Sequence, residues 1–130
     1  AIAALVRGLP ATVPWNGREL SMVYVEDMAE GICKALSAEV VSPRIFTTPG
    51  FYATHDDIVL ELRRHFPGGD IHIEGAPRLA PTEVASKPKF PRYDASVARQ
   101  ALGWECSTSL RQGIAKIIEY HVRQRDMAAV

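Results

Sequence analysis

The spacing of apolar and polar positions changes several times along the chain, and each change marks an element. Ala1-Ile2-Ala3-Ala4-Leu5-Val6 is an apolar run that reads as the tail of a helix, stopped by Gly8 with Pro10 just beyond. Ala11-Thr12-Val13-Pro14-Trp15 is a short strand candidate, and Asn16-Gly17 signals a hairpin-like reversal after it. Met22-Val23-Tyr24-Val25 offers bulky, strand-favouring side chains to both faces of a sheet and predicts a buried strand. At Asp27 the period shifts. Ala29, Ile32, Cys33, Leu36 and Val40 recur at helical spacing, which predicts a helix ending near Ala38 with Asp27 placed to cap its first free amides.

Ser42-Pro43 interrupts the chain, and Arg44 to Thr48 carries strand-type residues up to Pro49-Gly50. Thr54 with Asp57 three residues on predicts a capping box, and Ile58, Val59, Leu62 and Phe66 form one helical face before Pro67-Gly68-Gly69 ends it. Asp70-Ile71-His72-Ile73-Glu74 alternates polar and apolar residues, the pattern of a half-exposed strand. Residues 76–92 hold Pro77, Pro81, Pro88 and Pro91, with Lys87, Lys89 and Arg92 among them, and predict an irregular loop. A short helix from Ala95 to Leu102 leads to Gly103-Trp104. The last helix opens near Ser109, with Gln112 in the reciprocal capping position and Leu110, Ile114, Ile117, Ile118 and His121 on one face, and 126–130 is expected to fray. The fold class is α/β: a small mixed unit of about four helices and three to four short strands, in one domain over 1–130.

Composition narrows the function classes. A chain of 130 residues, 47% hydrophobic, suffices for one modest core. Fifteen basic and fifteen acidic residues cancel, so no overall field draws the chain to nucleic acid or to an anionic membrane. No run approaches the roughly 20 apolar residues of a membrane span. Cys33 and Cys106 are two distant thiols, and Cys33 lies on the predicted apolar helix face; buried, reduced cysteine fits a cytoplasmic protein. The first residue is Ala rather than Met and the chain enters directly on a helix tail, which fits a fragment, a processed product or a trimmed chain.

Three stretches together carry a family resemblance. Val23-Tyr24-Val25-Glu26-Asp27-Met28-Ala29-Glu30-Gly31 is similar to the VxVxDxAxA segment of the extended short-chain dehydrogenases/reductases, the NAD-dependent epimerase/dehydratase group. Ile45-Phe46-Thr47-Thr48-Pro49-Gly50, with a helix opening at Thr54, resembles that family's following strand and helix. Asp94-Ala95-Ser96-Val97-Ala98 through Leu102-Gly103-Trp104, then Ser109-Leu110-Arg111-Gln112-Gly113-Ile114, resembles its closing signature. The resemblance implies the C-terminal, substrate-binding part of a Rossmann-type enzyme without its Gly-rich nucleotide-binding half. It also implies NAD or NADP in the complete enzyme, an upstream Rossmann half of the same protein as partner, and a sugar nucleotide or related hydroxyl/carbonyl compound as substrate; a homodimer is compatible with it.

The residues missing from the chain sharpen this reading. No glycine spacing forms the turn whose amides cradle a dinucleotide pyrophosphate. The residues four after Tyr24, Tyr52, Tyr93 and Tyr120 are Met28, Asp56, Val97 and Gln124, so the family's Tyr/Lys proton-transfer pair is missing. The four histidines and two cysteines show no metal-ligand spacing. The chain alone is therefore expected to hold no cofactor and to be inactive, with neither catalytic nor metal-binding residues. The Arg that in sugar-nucleotide members precedes the VxVxD strand is replaced by Leu20, with Arg18 two residues earlier; a second family Arg has Lys87, Lys89 and Arg92 as its nearest substitutes. An Arg fork or a Lys suits a diphosphate. These four, with Trp15 at the turn as a cover for a substrate ring, are the substrate-binding candidates. The competing reading from another class is a free-standing, non-catalytic α/β module that binds a small molecule or a protein.

Overall fold

The computed structural model describes residues 1–14, 19–39, 45–75 and 92–128. In chain order the elements are α1 (Ile2–Val6), β1 (Ala11–Pro14), β2 (Leu20–Met22), α2 (Val25–Ser37), β3 (Phe51–Ala53), α3 (His55–His65), β4 (Ile71–Glu74), α4 (Ser96–Leu102) and α5 (Leu110–Ala128). This is the mixed α/β class read from the sequence. The chain divides into two compact units, one of Ala1–Glu19, Ala53–Pro88 and Leu110–Val130, the other of Leu20–Tyr52 and Lys89–Ser109.

In the first unit β1 and β4 pair in parallel, from Ala11 opposite Ile71 to Pro14 opposite Glu74. The predicted alternation of β4 is observed, with Ile71 buried, Ile73 partly buried, and His72 and Glu74 in solvent. Helix α3 starts as its sequence requires: Thr54 accepts from the Asp57 amide while the Asp57 carboxylate accepts from the Thr54 amide at 2.8 Å. Its Val59 and Leu62 join Leu5, Ala11, Val13, Ile71 and Ile114 in the core, with Ile58, Phe66, Leu110 and Ile118 at the edge. Burying each large aliphatic side chain contributes about 1.5–3 kcal/mol, so Leu62→Ala would cost about 2–5 kcal/mol. Buried Glu61 is held by Arg64 at 2.7 Å and faces Arg111 of α5 at 3.4 Å. The expected reversal at Asn16-Gly17 lies outside the described residues, but β1 and β2 belong to different sheets, so no hairpin joins them.

In the second unit several expectations need correction. The strand expected at Met22–Val25 is β2, Leu20–Met22, paired with β3. Tyr24 is already the extended N-cap residue of α2, so Asp27 falls inside the first turn and does not cap it. The strand expected over Arg44–Thr48 is not formed in its described part; β3 begins at Phe51. Gly50 explains the shift, because a Cβ there would stand 1.6 Å from the Met22 carbonyl oxygen. Only glycine lets the backbone come that close to β2, so Pro49-Gly50 leads into the strand instead of ending it.

A further correction concerns α2. Its apolar stripe was expected to be the buried face, yet Ile32 and Leu36 are 54% and 82% exposed, Ala29 and Cys33 are exposed as well, and Val40 lies outside the described residues. The buried positions are Asp27 and Gly31, on the opposite side. Trp104, fully buried, fills that side: its indole N–H donates to the Asp27 carbonyl at 2.6 Å, and Gly31 is small because a Cβ would lie 2.9 Å from the indole nitrogen. Trp104 therefore packs on α2. Gly103, left-handed at φ 59°, ends α4 and turns the chain so that Trp104 can reach α2.

Candidate functional site

The carboxylate of Asp27, 6% exposed, accepts four hydrogen bonds. Oδ2 accepts from the Thr108 amide at 2.9 Å and from the Cys106 thiol at 3.3 Å; Oδ1 accepts from the hydroxyls of Ser107 and Thr108, each at 3.0 Å. Burial pushes its pKa up, but the hydrogen bonds from Thr108, Cys106 and Ser107 outweigh it and leave the carboxyl below its ordinary 3.8. The Cys106 thiol moves the other way, raised by burial and by the adjacent Asp27 carboxylate. A carboxylate so saturated with donors is a clamp: it ties the first turn of α2 to the stretch entering α5 and has no lone pair to spare for chemistry.

A second constellation surrounds Tyr52. The Tyr93 amide donates to the Tyr52 hydroxyl at 2.6 Å, and the guanidinium of Arg92 lies over the Tyr52 ring, 4.8 Å from its centroid. The Thr47 hydroxyl donates to the Asp94 carbonyl, and the Asp94 carboxylate accepts from the Ser96 amide and hydroxyl at 2.8 and 2.7 Å. Those Ser96 bonds lower the Asp94 pKa. Arg92 is thus the first residue of a segment pinned at three places, exposed and seated on an aromatic face. Tyr52 carries no signal of its own in the sequence: no Lys stands four residues on, and an aromatic in a short strand before a helix is too common to stand out.

Of the other candidates, Trp15, Arg18, Lys87 and Lys89 lie outside the described residues. The strands that lead to them are described. The chain leaves β1 at Pro14 and β4 at Glu74, which are partners in a parallel register. Carboxyl ends of parallel strands are where α/β folds place ligands.

Among the described residues, the starts of α2 and α3 do not offer a cradle for a nicotinamide dinucleotide. Pyrophosphate needs free amides at a helix start, but α2 and α3 carry Glu26, Asp27, Asp56 and Asp57 in their first turns, and the first amides of α3 face its own capping box. No group of three or more His, Cys, Asp or Glu could hold a metal ion among the described residues. No helix among them is long and apolar enough to cross a membrane.

No protein-family model matches the chain. It is 30% identical over 128 residues to UDP-glucuronic acid decarboxylase 2 of Arabidopsis thaliana, covering 95% of this chain and 26% of that protein. Among solved structures it superposes on a GalE-like L-threonine dehydrogenase from Cupriavidus necator with a TM-score of 0.72 at 25% identity, covering 92% of this chain and 39% of that one. UDP-glucuronic acid 4-epimerase from Bacillus cereus, in complex with UDP-glucuronic acid and NAD, gives a TM-score of 0.72 at 20% identity, over 95% and 38% of the two chains. The chain thus spans about a quarter to a third of the length of the curated relatives it matches.

Proposed function

Since the chain is related in sequence and fold to part of the NAD-dependent epimerase/dehydratase-type extended short-chain dehydrogenases/reductases, we propose that it is the C-terminal, substrate-binding portion of such an enzyme. In this reading the complete protein is a cytoplasmic oxidoreductase or isomerase that acts on a sugar nucleotide or related hydroxyl/carbonyl substrate. NAD or NADP is held by an upstream Rossmann half, which also supplies the proton-transfer pair. The nicotinamide exchanges hydride with the substrate; this chain's residues bind and orient that substrate. Arg18, Lys87, Lys89 and Arg92 contribute positive charge to a diphosphate, and Trp15 covers a ring.

The observation that supports the reading is the likeness in sequence and fold, over more than nine-tenths of this chain, to part of enzymes of this type. The seating of Arg92 on Tyr52 adds to it, since a guanidinium over an aromatic ring is a cation held in place. The relatives add the chemistry: the decarboxylase is named for a UDP-sugar acid, and the epimerase structure contains one with NAD.

An NADH fluorescence titration separates the portions. The complete protein should bind NADH saturably, and residues 1–130 alone should not. Saturable micromolar binding by the 130 residues would refute the division of labour, and a complete protein without a Gly-rich turn and a Tyr/Lys pair would refute the family role.

A further inference from the structure

Tyr52 grips two consecutive residues of the segment that leads into α4. Its ring lies under the Arg92 guanidinium, 4.8 Å away, and its hydroxyl accepts from the Tyr93 amide at 2.6 Å. The next residue is held as well: the Asp94 carbonyl accepts from the Thr47 hydroxyl, and the Asp94 carboxylate bonds Ser96 at 2.8 and 2.7 Å. Tyr52 is itself set in place, as the half-buried middle residue of β3, which pairs with β2 where Gly50 lets the two backbones close up. Arg92, Tyr93 and Asp94 are all exposed, so the grip adds little to a core. An exposed arginine otherwise samples many rotamers, and a ligand that binds it must order it at a cost in affinity.

We propose that Tyr52 is a positioning residue for substrate binding: it holds the Arg92 guanidinium in one place, from the ring below and through the Tyr93 amide beside it, so that a nucleoside diphosphate meets an ordered cation. The inference rests on the functional reading above, which makes Arg92 a phosphate ligand, and adds to it the side chain that presents that ligand. Tyr52 itself touches no substrate and acts through Arg92. Its loss therefore weakens binding of the diphosphate and leaves the hydride step unchanged. A tyrosine that merely packed in β3 would change stability and spare KM in a folded variant. A grip made of two contacts also predicts a graded series, because phenylalanine keeps the ring and loses the hydroxyl, whereas leucine loses both.

The test is a double-mutant cycle in the full-length enzyme, read as KM and kcat for UDP-glucuronic acid. Tyr52→Phe should raise KM about fourfold and Tyr52→Leu about tenfold, with kcat little changed. In the Arg92→Ala background each should change KM less than about twofold, because no guanidinium is left to place. Circular dichroism and an NADH titration mark the variants that are folded; if Tyr52→Leu is not among them, the cycle with Tyr52→Phe decides. Tyr52 variants that leave KM within about twofold, while Arg92→Ala raises it more than about tenfold, would overturn this inference and leave the functional reading standing. A Tyr52 effect that persists in full without Arg92 would overturn it also, since Tyr52 would then act on the fold or on the substrate directly. An Arg92→Ala change without effect on KM would refute the functional reading at this residue, and the inference with it.

Discussion

Replacing Asp27 separates a clamp from an ordinary buried carboxylate. Asp27→Ala leaves the Thr108 amide, buried and 2.9 Å from the lost oxygen, without a partner, and also removes the acceptor of two hydroxyls and a thiol. One orphaned buried donor costs about 1–3 kcal/mol, and the hydroxyls can find other partners only in part, so the loss should reach about 3–5 kcal/mol. Asp27→Asn should cost less, about 1–2 kcal/mol. Its oxygen can keep the Thr108 amide, and its amino group can face the Ser107 and Thr108 hydroxyls, which rotate to accept. Urea titration followed by the fluorescence of buried Trp104, whose indole bonds to the Asp27 carbonyl, measures both. The reasoning fails if alanine costs under about 1 kcal/mol, or if asparagine is as damaging as alanine. The pH dependence follows from the sign. The folded carboxyl lies below the ordinary 3.8, so its stabilisation is complete above the unfolded value and is lost as pH falls through the folded one. The gap between wild type and Asp27→Asn should therefore be constant near neutrality and shrink only in the acid range.

Other outcomes test neighbouring parts. Gly31→Ala should destabilise by about 1–3 kcal/mol in thermal melts, since its methyl must displace the Trp104 indole; a neutral result would mean that the close approach is not needed. Thr54→Ala should cost about 1 kcal/mol through loss of the α3 capping box, with Thr54→Ser close to wild type in the same assay. In residues 1–130 the exposed Cys33 should react with a disulfide reagent well before Cys106, whose thiolate is disfavoured by burial and by Asp27; equal rates would contradict the Cys106 environment.

What the sequence made legible were the features decided by local chemistry. The Thr54/Asp57 box, the alternation of β4 and the apolar face of α3 each follow from neighbours in the chain, and each is present. What escaped depended on distant contacts. The buried side of α2 was assigned to its apolar residues, but it is set by Trp104 and by Cys106 to Thr108, about eighty positions away. The apolar row was correctly periodic and assigned to the wrong side. Gly50 read as a strand's end because its approach to Met22 is a tertiary fact. At the candidate site Arg92 was visible as a cation, whereas the Tyr52 ring under it could be found only in the fold.

The claim that this chain holds the substrate is tested most directly by steady-state kinetics of the full-length enzyme with UDP-glucuronic acid, the ligand of a structural relative. Wild type would be compared with Arg18→Ala, Arg92→Ala and the paired Lys87→Ala/Lys89→Ala change, at low and high salt. Each charge-assisted phosphate contact contributes about 1.5–3 kcal/mol, so removing a true ligand should raise KM more than about tenfold, with kcat little changed and the loss smaller at high salt. If none of the three moves KM beyond about twofold, under roughly half a kcal/mol, the substrate is held elsewhere and the central claim is wrong.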